Sequence, residues 1–168
     1  MIAKNLSRQV EKGRLKQVIL SRVIPTAELS DAAKVDLAIE AAAENIEVKA
    51  EIFSQLDKIC PPHAILVSNT SSLPITEIAA VTNRPERVIG LHFMNPVSVM
   101  KLVEIIRGLA TADEIYETIE TMAETLRKTP VEVNDFPGFV SSRILMPMIN
   151  EAIFTLYEGV ADKMRLTR

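Results

Sequence analysis

The sequence predicts an α/β protein in which a mostly parallel sheet is covered by helices on both faces. Short apolar runs, which are typical of buried strands, alternate with longer stretches whose apolar residues recur with helical spacing. The apolar runs 64–67 and 87–91, for example, flank a segment in which Pro74 suits the first turn of a helix. Such alternation favours parallel strands joined by helical crossovers.

The individual elements follow from periodicity, capping residues and chain breaks. Helices are predicted over residues 2–12 (ending at Gly13), 15–22, 46–59, 115–126 and 143–158, and strands over 23–26, 35–40, 64–67, 87–91, 100–106 and 131–133. Two prolines, Pro61 and Pro62, end the helix 46–59. We expect Ser141 or Ser142 to cap the last helix, because serine is a favoured N-cap residue.

Composition indicates an ordinary globular protein and argues against several other classes. The chain has 168 residues, 48% of them hydrophobic, and a net charge of −3, which argues against a nucleic-acid-binding surface. No apolar run approaches the roughly 20 residues of a membrane helix, and the N-terminal residues lack the apolar segment of a secretory signal. Cys60 is the single cysteine, so we expect no internal disulfide, a cytoplasmic location and a core-filling role for this side chain.

A histidine and a glutamate form the leading candidate site. His92 follows a buried strand and precedes the break at Asn95-Pro96, a position where α/β proteins place their chemistry. Glu104 lies inside the apolar run 100–106, and a carboxylate buried there needs a partner. We expect His92 to be that partner, with the carboxylate orienting the ring for proton transfer. The alternative is a structural histidine beside a buried glutamate.

Several short motifs in the same order carry a family resemblance over nearly the whole chain. They are residues 69–73, 90–96, 100–104, 137–140 and 150–152. Together these motifs resemble the 3-hydroxyacyl-CoA dehydrogenase family, and the bacterial 3-hydroxybutyryl-CoA dehydrogenases most closely. The resemblance implies a Rossmann-like doubly wound sheet followed by the first helix of an all-α domain. It divides the chain into residues 1–135, a partial NAD-binding domain, and residues 136–168, a linker and that first helix.

The resemblance also implies roles at the reacting centre. His92 matches the base that removes the proton of the substrate's 3-hydroxyl group, and Glu104 matches the carboxylate that orients it. Ser71 matches a serine that hydrogen-bonds the substrate oxygen beside the nicotinamide. Ser142 stands where the family has a substrate-contacting asparagine.

Further matching positions imply contacts with the cofactor NAD. Asn95, Glu44 and Lys49 match residues that touch it in the family. The residues alone leave other interpretations open: Ser71 as a helix cap, Glu44 and Lys49 as solvated surface charges, and Asn95 as a turn former. His63, after two prolines, is expected to be exposed and inert.

The sequence also departs from the family pattern. Its five glycines are too scattered to form the Gly-x-Gly-x-x-Gly loop that cradles the cofactor pyrophosphate. In the family's strand order, the two central strands would be missing between strands 23–26 and 35–40, a gap of roughly 10 Å. We therefore expect strand 35–40 to be an open edge or to pair with another copy. The helical domain is expected to stop after its first helix, with a frayed tail from Gly159.

These resemblances imply an activity and its partners. The family catalyses reversible, NAD-dependent oxidation of a (3S)-hydroxyacyl-CoA to the 3-oxoacyl-CoA, which we expect to be impaired in this truncated chain. A homo-oligomer formed through the strand edge or the last helix is expected, with no metal ion, nucleic acid or membrane involved. The alternative function is a non-catalytic assembly or binding module.

Overall fold

The computed structural model describes residues 7, 10, 11, 13 and 21–162. The chain divides into two compact units, residues 1–31 and residues 32–168. The helices predicted over 2–12 and 15–22 fall largely outside the described residues, although Gly13 has a φ of +66° and donates its N–H to the Val10 carbonyl. The strand predicted over 23–26 is wrong: these residues are exposed and make no strand pairing within the described part. Pro25 lacks a backbone N–H donor, and none of the described strands pairs with residues 23–26.

The second unit contains five strands and four α-helices among the described residues. In chain order they are β1 (Leu37–Glu40), α1 (Ile46–Ile59), β2 (Ile65–Ser68), α2 (Ile75–Ala79), β3 (Val88–Phe93), β4 (Leu102–Arg107), α3 (Asp113–Thr125), β5 (Thr129–Asn134) and α4 (Ser141–Tyr157). Short 3₁₀ turns cover Leu29–Lys34 and Pro85–Arg87. The helix predicted over 46–59 is confirmed, since α1 has the same first and last residues. Asn45 caps its start, and its side-chain oxygen accepts the Val48 N–H.

The sheet order is β1-β2-β3-β4-β5. Three neighbouring pairs are parallel and β3–β4 is antiparallel, which confirms the expected mostly parallel sheet. The short connection 94–101 explains the exception, because a parallel return needs a crossover of a dozen residues or more. Within the described residues β1 pairs with β2 alone, so among them its other side is an open edge, and its pairing with another copy stays a prediction.

Apolar side chains cover both faces of the sheet. On one face α1 and α2 pack onto alternate strand residues, in a cluster that includes Phe53, Leu56, Leu66, Ile78 and Ile106. On the other face α3 packs against the intervening residues, among them Val67, Ile89, Leu91, Ile105 and Ile119. Because successive side chains of a strand point to opposite faces, each strand contributes residues to both hydrophobic cores. The predicted core position of Cys60 is confirmed, and burial raises the pKa of its thiol.

The last helix differs from the others because none of its residues is buried. Its exposed apolar side chains include Ile144, Met146, Met148, Ile153, Phe154 and Tyr157. Gly159, with a φ of +73°, follows its end, and most of the predicted frayed tail lies outside the described residues. No helix in the described ranges combines the length and hydrophobicity needed to cross a membrane.

Candidate active site

The antiparallel pairing of β3 with β4 brings the predicted histidine and glutamate together. His92 lies directly opposite Glu104 in the strand register, and its Nδ1 is 2.8 Å from Glu104 Oε2. Residue exposure is 8% for His92 and 2% for Glu104. The predicted contact between these two side chains is therefore present, and it is buried.

Glu104 accepts four hydrogen bonds. Its Oε1 accepts the backbone N–H groups of Val140 and Ser141 at 3.1 and 2.8 Å. Its Oε2 accepts the Ser141 hydroxyl at 2.7 Å as well as His92 Nδ1. Burial raises the pKa of Glu104, but the hydrogen bonds from Ser141, His92 and the backbone outweigh burial and hold the pKa below its ordinary value. Glu104 is thus an ionised carboxylate in a buried position.

This geometry suits proton transfer at the opposite ring nitrogen. A carboxylate bonded to Nδ1 selects the tautomer in which Nδ1 carries the proton and leaves Nε2 as the base. Phe139 covers the ring at a centroid distance of 6.0 Å and a tilt of 56°. The arrangement can accept a proton at Nε2 while Glu104 stabilises the resulting imidazolium.

The polar turn after β2 lies beside the end of β3. Asn69 Oδ1 accepts the Phe93 N–H at 3.4 Å, which ties this turn to the residue following His92. Ser71 is exposed and its hydroxyl makes no hydrogen bond with another described residue. The helix-cap interpretation of Ser71 is wrong, because Pro74 is the cap residue of α2 and the Asp135 carboxylate accepts the first N–H groups of that helix, those of Ile75 and Thr76. The Ser71 hydroxyl is available at the carboxyl edge of the sheet.

Lys49 is completely buried in an ion pair. Its Nζ donates to both carboxylate oxygens of Glu40, at 2.9 and 2.8 Å, and to the Asn69 carbonyl at 3.1 Å. The Ser68 hydroxyl also donates to Glu40, at 2.8 Å. The solvated-surface interpretation of Lys49 is therefore wrong. Sequence reasoning missed the role of Glu40, although an acidic residue ending a buried strand was itself a sign that a cation lies nearby.

Glu44 organises the turn that carries Ser71. Its Oε1 accepts the Thr70 hydroxyl at 2.6 Å and the backbone N–H groups of Ser71 and Ser72 at 2.8 and 3.2 Å. Burial raises the pKa of Glu44, but these hydrogen bonds and the charge of Lys49 outweigh it, so the pKa lies below its ordinary value. The Glu44 side chain remains 40% exposed, 3.7 Å from the Lys49 ammonium.

The remaining predicted residues lie at the surface or apart from the pair. Asn95 is exposed after β3, and its bond to Pro96 is cis. Ser142 is half-buried, and neither it nor Ser141 caps α4 through its side chain: the cap residue is Val140. His63 is exposed, as expected, with its Nε2 3.0 Å from Asp36. Across the described residues, no group of three or more potential ligands is arranged to hold a metal ion.

The sheet order and the buried pair define a Rossmann-like α/β domain that carries a histidine–carboxylate site at its carboxyl edge. Residues 1–136 match the family described as "3-hydroxyacyl-CoA dehydrogenase, NAD binding domain". The chain belongs to the 3-hydroxyacyl-CoA dehydrogenase family.

Similar proteins extend well beyond the length of this chain. A probable 3-hydroxybutyryl-CoA dehydrogenase of Bacillus subtilis is 60% identical over 164 residues, covering 95% of this chain and 57% of that protein. The 3-hydroxybutyryl-CoA dehydrogenase of Clostridioides difficile is 46% identical over 167 residues, covering 97% and 59%. The crystal structure of (S)-3-hydroxybutyryl-CoA dehydrogenase from Ralstonia eutropha matches with a TM-score of 0.91 and 44% identity, covering 98% of this chain and 59% of that one. The chain thus spans less than two thirds of the length of these relatives.

Proposed function

We propose that this chain forms the proton-transfer part of an NAD-dependent 3-hydroxyacyl-CoA dehydrogenase, with 3-hydroxybutyryl-CoA as the substrate type. The reaction is reversible oxidation of a (3S)-hydroxyacyl-CoA to the 3-oxoacyl-CoA. The observation that carries this proposal is the buried contact of 2.8 Å between His92 Nδ1 and the ionised Glu104. Membership of the family supports the choice of substrate class.

Each residue of the candidate site has a separate role in the proposed reaction. His92 Nε2 accepts the proton of the 3-hydroxyl group, and Glu104 holds the ring and stabilises its positive charge. The exposed Ser71 hydroxyl donates a hydrogen bond to the same substrate oxygen. We propose Ser142, which is half-buried at the second position of α4, as a second substrate contact. Bound NAD would supply the acceptor for the hydride that leaves C3.

Exposed polar groups at the carboxyl edge fit the nicotinamide end of the cofactor. The side chains of Ser71 and Asn95 are exposed and make no hydrogen bond with other described residues, so both can hydrogen-bond a ligand. Glu44, which accepts the Ser71 N–H, has its second carboxylate oxygen 3.7 Å from the Lys49 ammonium on a side chain that is 40% exposed. Lys49 has its ammonium enclosed, so we propose that it contributes to cofactor binding by holding Glu44 and the Asn69 carbonyl in place. Residues 1–168 contain no Gly-x-Gly-x-x-Gly loop, so we expect turnover by this chain alone to be weak.

A direct assay follows NADH oxidation with acetoacetyl-CoA. We expect His92→Gln to lower the rate by about 10²–10⁴-fold, since it removes the general base. His63→Gln is the matched control, because it alters the other histidine of the chain, whose ring is exposed. Equal rates for the chain and its His92→Gln variant would contradict the proposal. If neither turnover nor a change in NADH fluorescence occurs, the alternative of a non-catalytic assembly module is favoured.

The exposed apolar side chains of α4 support a proposal about assembly. We propose that the chain forms a homo-oligomer through α4 or through the open edge of β1. The division into residues 1–135 and 136–168 is likewise a proposal, supported by the family match ending at residue 136 and by the absence of buried residues in α4. Sedimentation velocity of Ile153→Glu against the unaltered chain tests the α4 interface. A cytoplasmic setting is proposed on the basis of the free thiol of Cys60.

A further inference from the structure

The first turn of α4 supplies most of the hydrogen bonds that hold Glu104. Three of the four donors come from residues 140 and 141: two backbone N–H groups on Oε1 and the Ser141 hydroxyl on Oε2. The fourth donor is His92 Nδ1. A carboxylate bonded at both oxygens cannot rotate freely about its terminal torsion. The orientation of the Glu104 carboxylate is therefore set from the start of α4 as well as from β4.

Ser141 and His92 share one oxygen. The Ser141 hydroxyl lies 2.7 Å from Glu104 Oε2, and His92 Nδ1 lies 2.8 Å from the same atom. Two donors on one carboxylate oxygen divide its negative charge between them. The Ser141 hydroxyl thus limits how strongly Glu104 Oε2 can stabilise an imidazolium at His92.

We propose that Ser141 is a positioning residue for the proton-transfer pair, acting on His92 through Glu104. This inference rests on the proposed function for its catalytic meaning, although the contact itself does not depend on that function. Sequence reasoning gave Ser141 no role beyond a helix cap and assigned substrate contact to Ser142. The geometry separates the two serines: Ser142 makes no hydrogen bond to Glu104, and its hydroxyl has no partner among the described residues.

The groups around the His92 ring leave one route by which a change at Ser141 can alter its titration. Among the described residues, Glu104 on β4 is the charged group in contact with the His92 ring. Phe139, which precedes α4, is apolar, and Asn69, which reaches the end of β3 from the β2 side, is neutral. A change at Ser141 therefore acts on the ring through the Glu104 carboxylate.

The experiment is an NMR titration of the two histidines in the ¹⁵N-labelled chain, without cofactor or substrate. In Ser141→Ala, Glu104 Oε2 no longer shares its negative charge with a hydroxyl and stabilises the imidazolium more strongly. The titration midpoint of His92 should therefore rise by about 0.5 pH unit or more. Ser141→Thr keeps the hydroxyl and should restore the original midpoint. The His63 signals serve as an internal reference for folding and should not move, because His63 lies at an exposed site with Asp36.

Ser142→Ala is the matched control, since it removes a hydroxyl from the next residue of the same helix and should leave His92 unchanged. An unchanged or lowered His92 midpoint in Ser141→Ala, or an equal rise in Ser142→Ala, would overturn the proposal. If Ser141→Ala does not fold, Ser141→Cys substitutes a weaker donor and should give a smaller rise of the same sign. The titration needs no turnover, so failure of the dehydrogenase assay and failure of this proposal are separate results.

Discussion

Replacing Lys49 with methionine removes the cation from the most enclosed ion pair in the described part of the chain. Both side chains are almost inaccessible, with exposures of 0% for Lys49 and 2% for Glu40. Methionine keeps an unbranched apolar side chain but leaves the Glu40 carboxylate with the Ser68 hydroxyl and a backbone N–H as its remaining donors. Breaking a buried pair in this way costs about 3–5 kcal/mol, because an uncompensated charge stays buried.

Urea unfolding followed by circular dichroism measures this loss. We expect Lys49→Met to lower the free energy of unfolding by about 3–5 kcal/mol, and Glu40→Gln added to it to recover about 1–3 kcal/mol. The exposed pair of His63 and Asp36 is the control, and His63→Ala should change stability by less than about 1 kcal/mol. A loss below about 1 kcal/mol for Lys49→Met, or strict additivity in the double mutant, would refute the reasoning.

Three further predictions concern packing, a half-buried arginine and acid stability. Gly90→Ala should cost about 1–3 kcal/mol, since its Cβ would lie 2.7 Å from Ile75 Cδ1. Arg84→Ala should cost about 1.5–3 kcal/mol, since it removes the 2.8 Å bond to the buried Asp57 carboxylate. Both losses are read from urea midpoints. Because hydrogen bonding holds the folded-state pKa of Glu104 below its ordinary value of 4.5, its contribution to stability is fully present above that pH and lost as pH falls through the lowered pKa. Urea unfolding across the acid range should show this loss.

Matched control variants distinguish these predicted stability losses from a nonspecific loss of stability. Gly108→Ala should cost less than Gly90→Ala, because its nearest contacts are at 3.3 Å. Arg143→Ala, at an exposed position, is the control for Arg84→Ala, and equal losses would contradict the role of the buried bond. Glu104→Gln should flatten the acid dependence of stability, and an unchanged dependence would contradict the assigned origin.

The sequence determined the elements whose signals are local. The helix 46–59 matches α1 at both ends, since its apolar spacing, its Asn45 cap and the prolines after it act within a few residues. The buried strands were located to within two residues at each end where apolar runs stood out, as for 64–67 against Ile65–Ser68. The strand predicted at 23–26 failed because a strand needs a partner, and pairing is not a property of the segment itself.

The tertiary structure decided which polar groups share an atom. Ser141 reaches Glu104 across 37 positions of sequence, and Lys49 reaches Asn69 across 20. Two adjacent serines look alike to any local rule, yet one contacts the carboxylate and the other does not. Likewise, a lysine on the first turns of a helix has the pattern of a surface charge until the end of a neighbouring strand places a carboxylate beside it. Local chemistry determined the strands, helices and candidate pair; the packing of distant segments decided the hydrogen bonds that hold that pair in place.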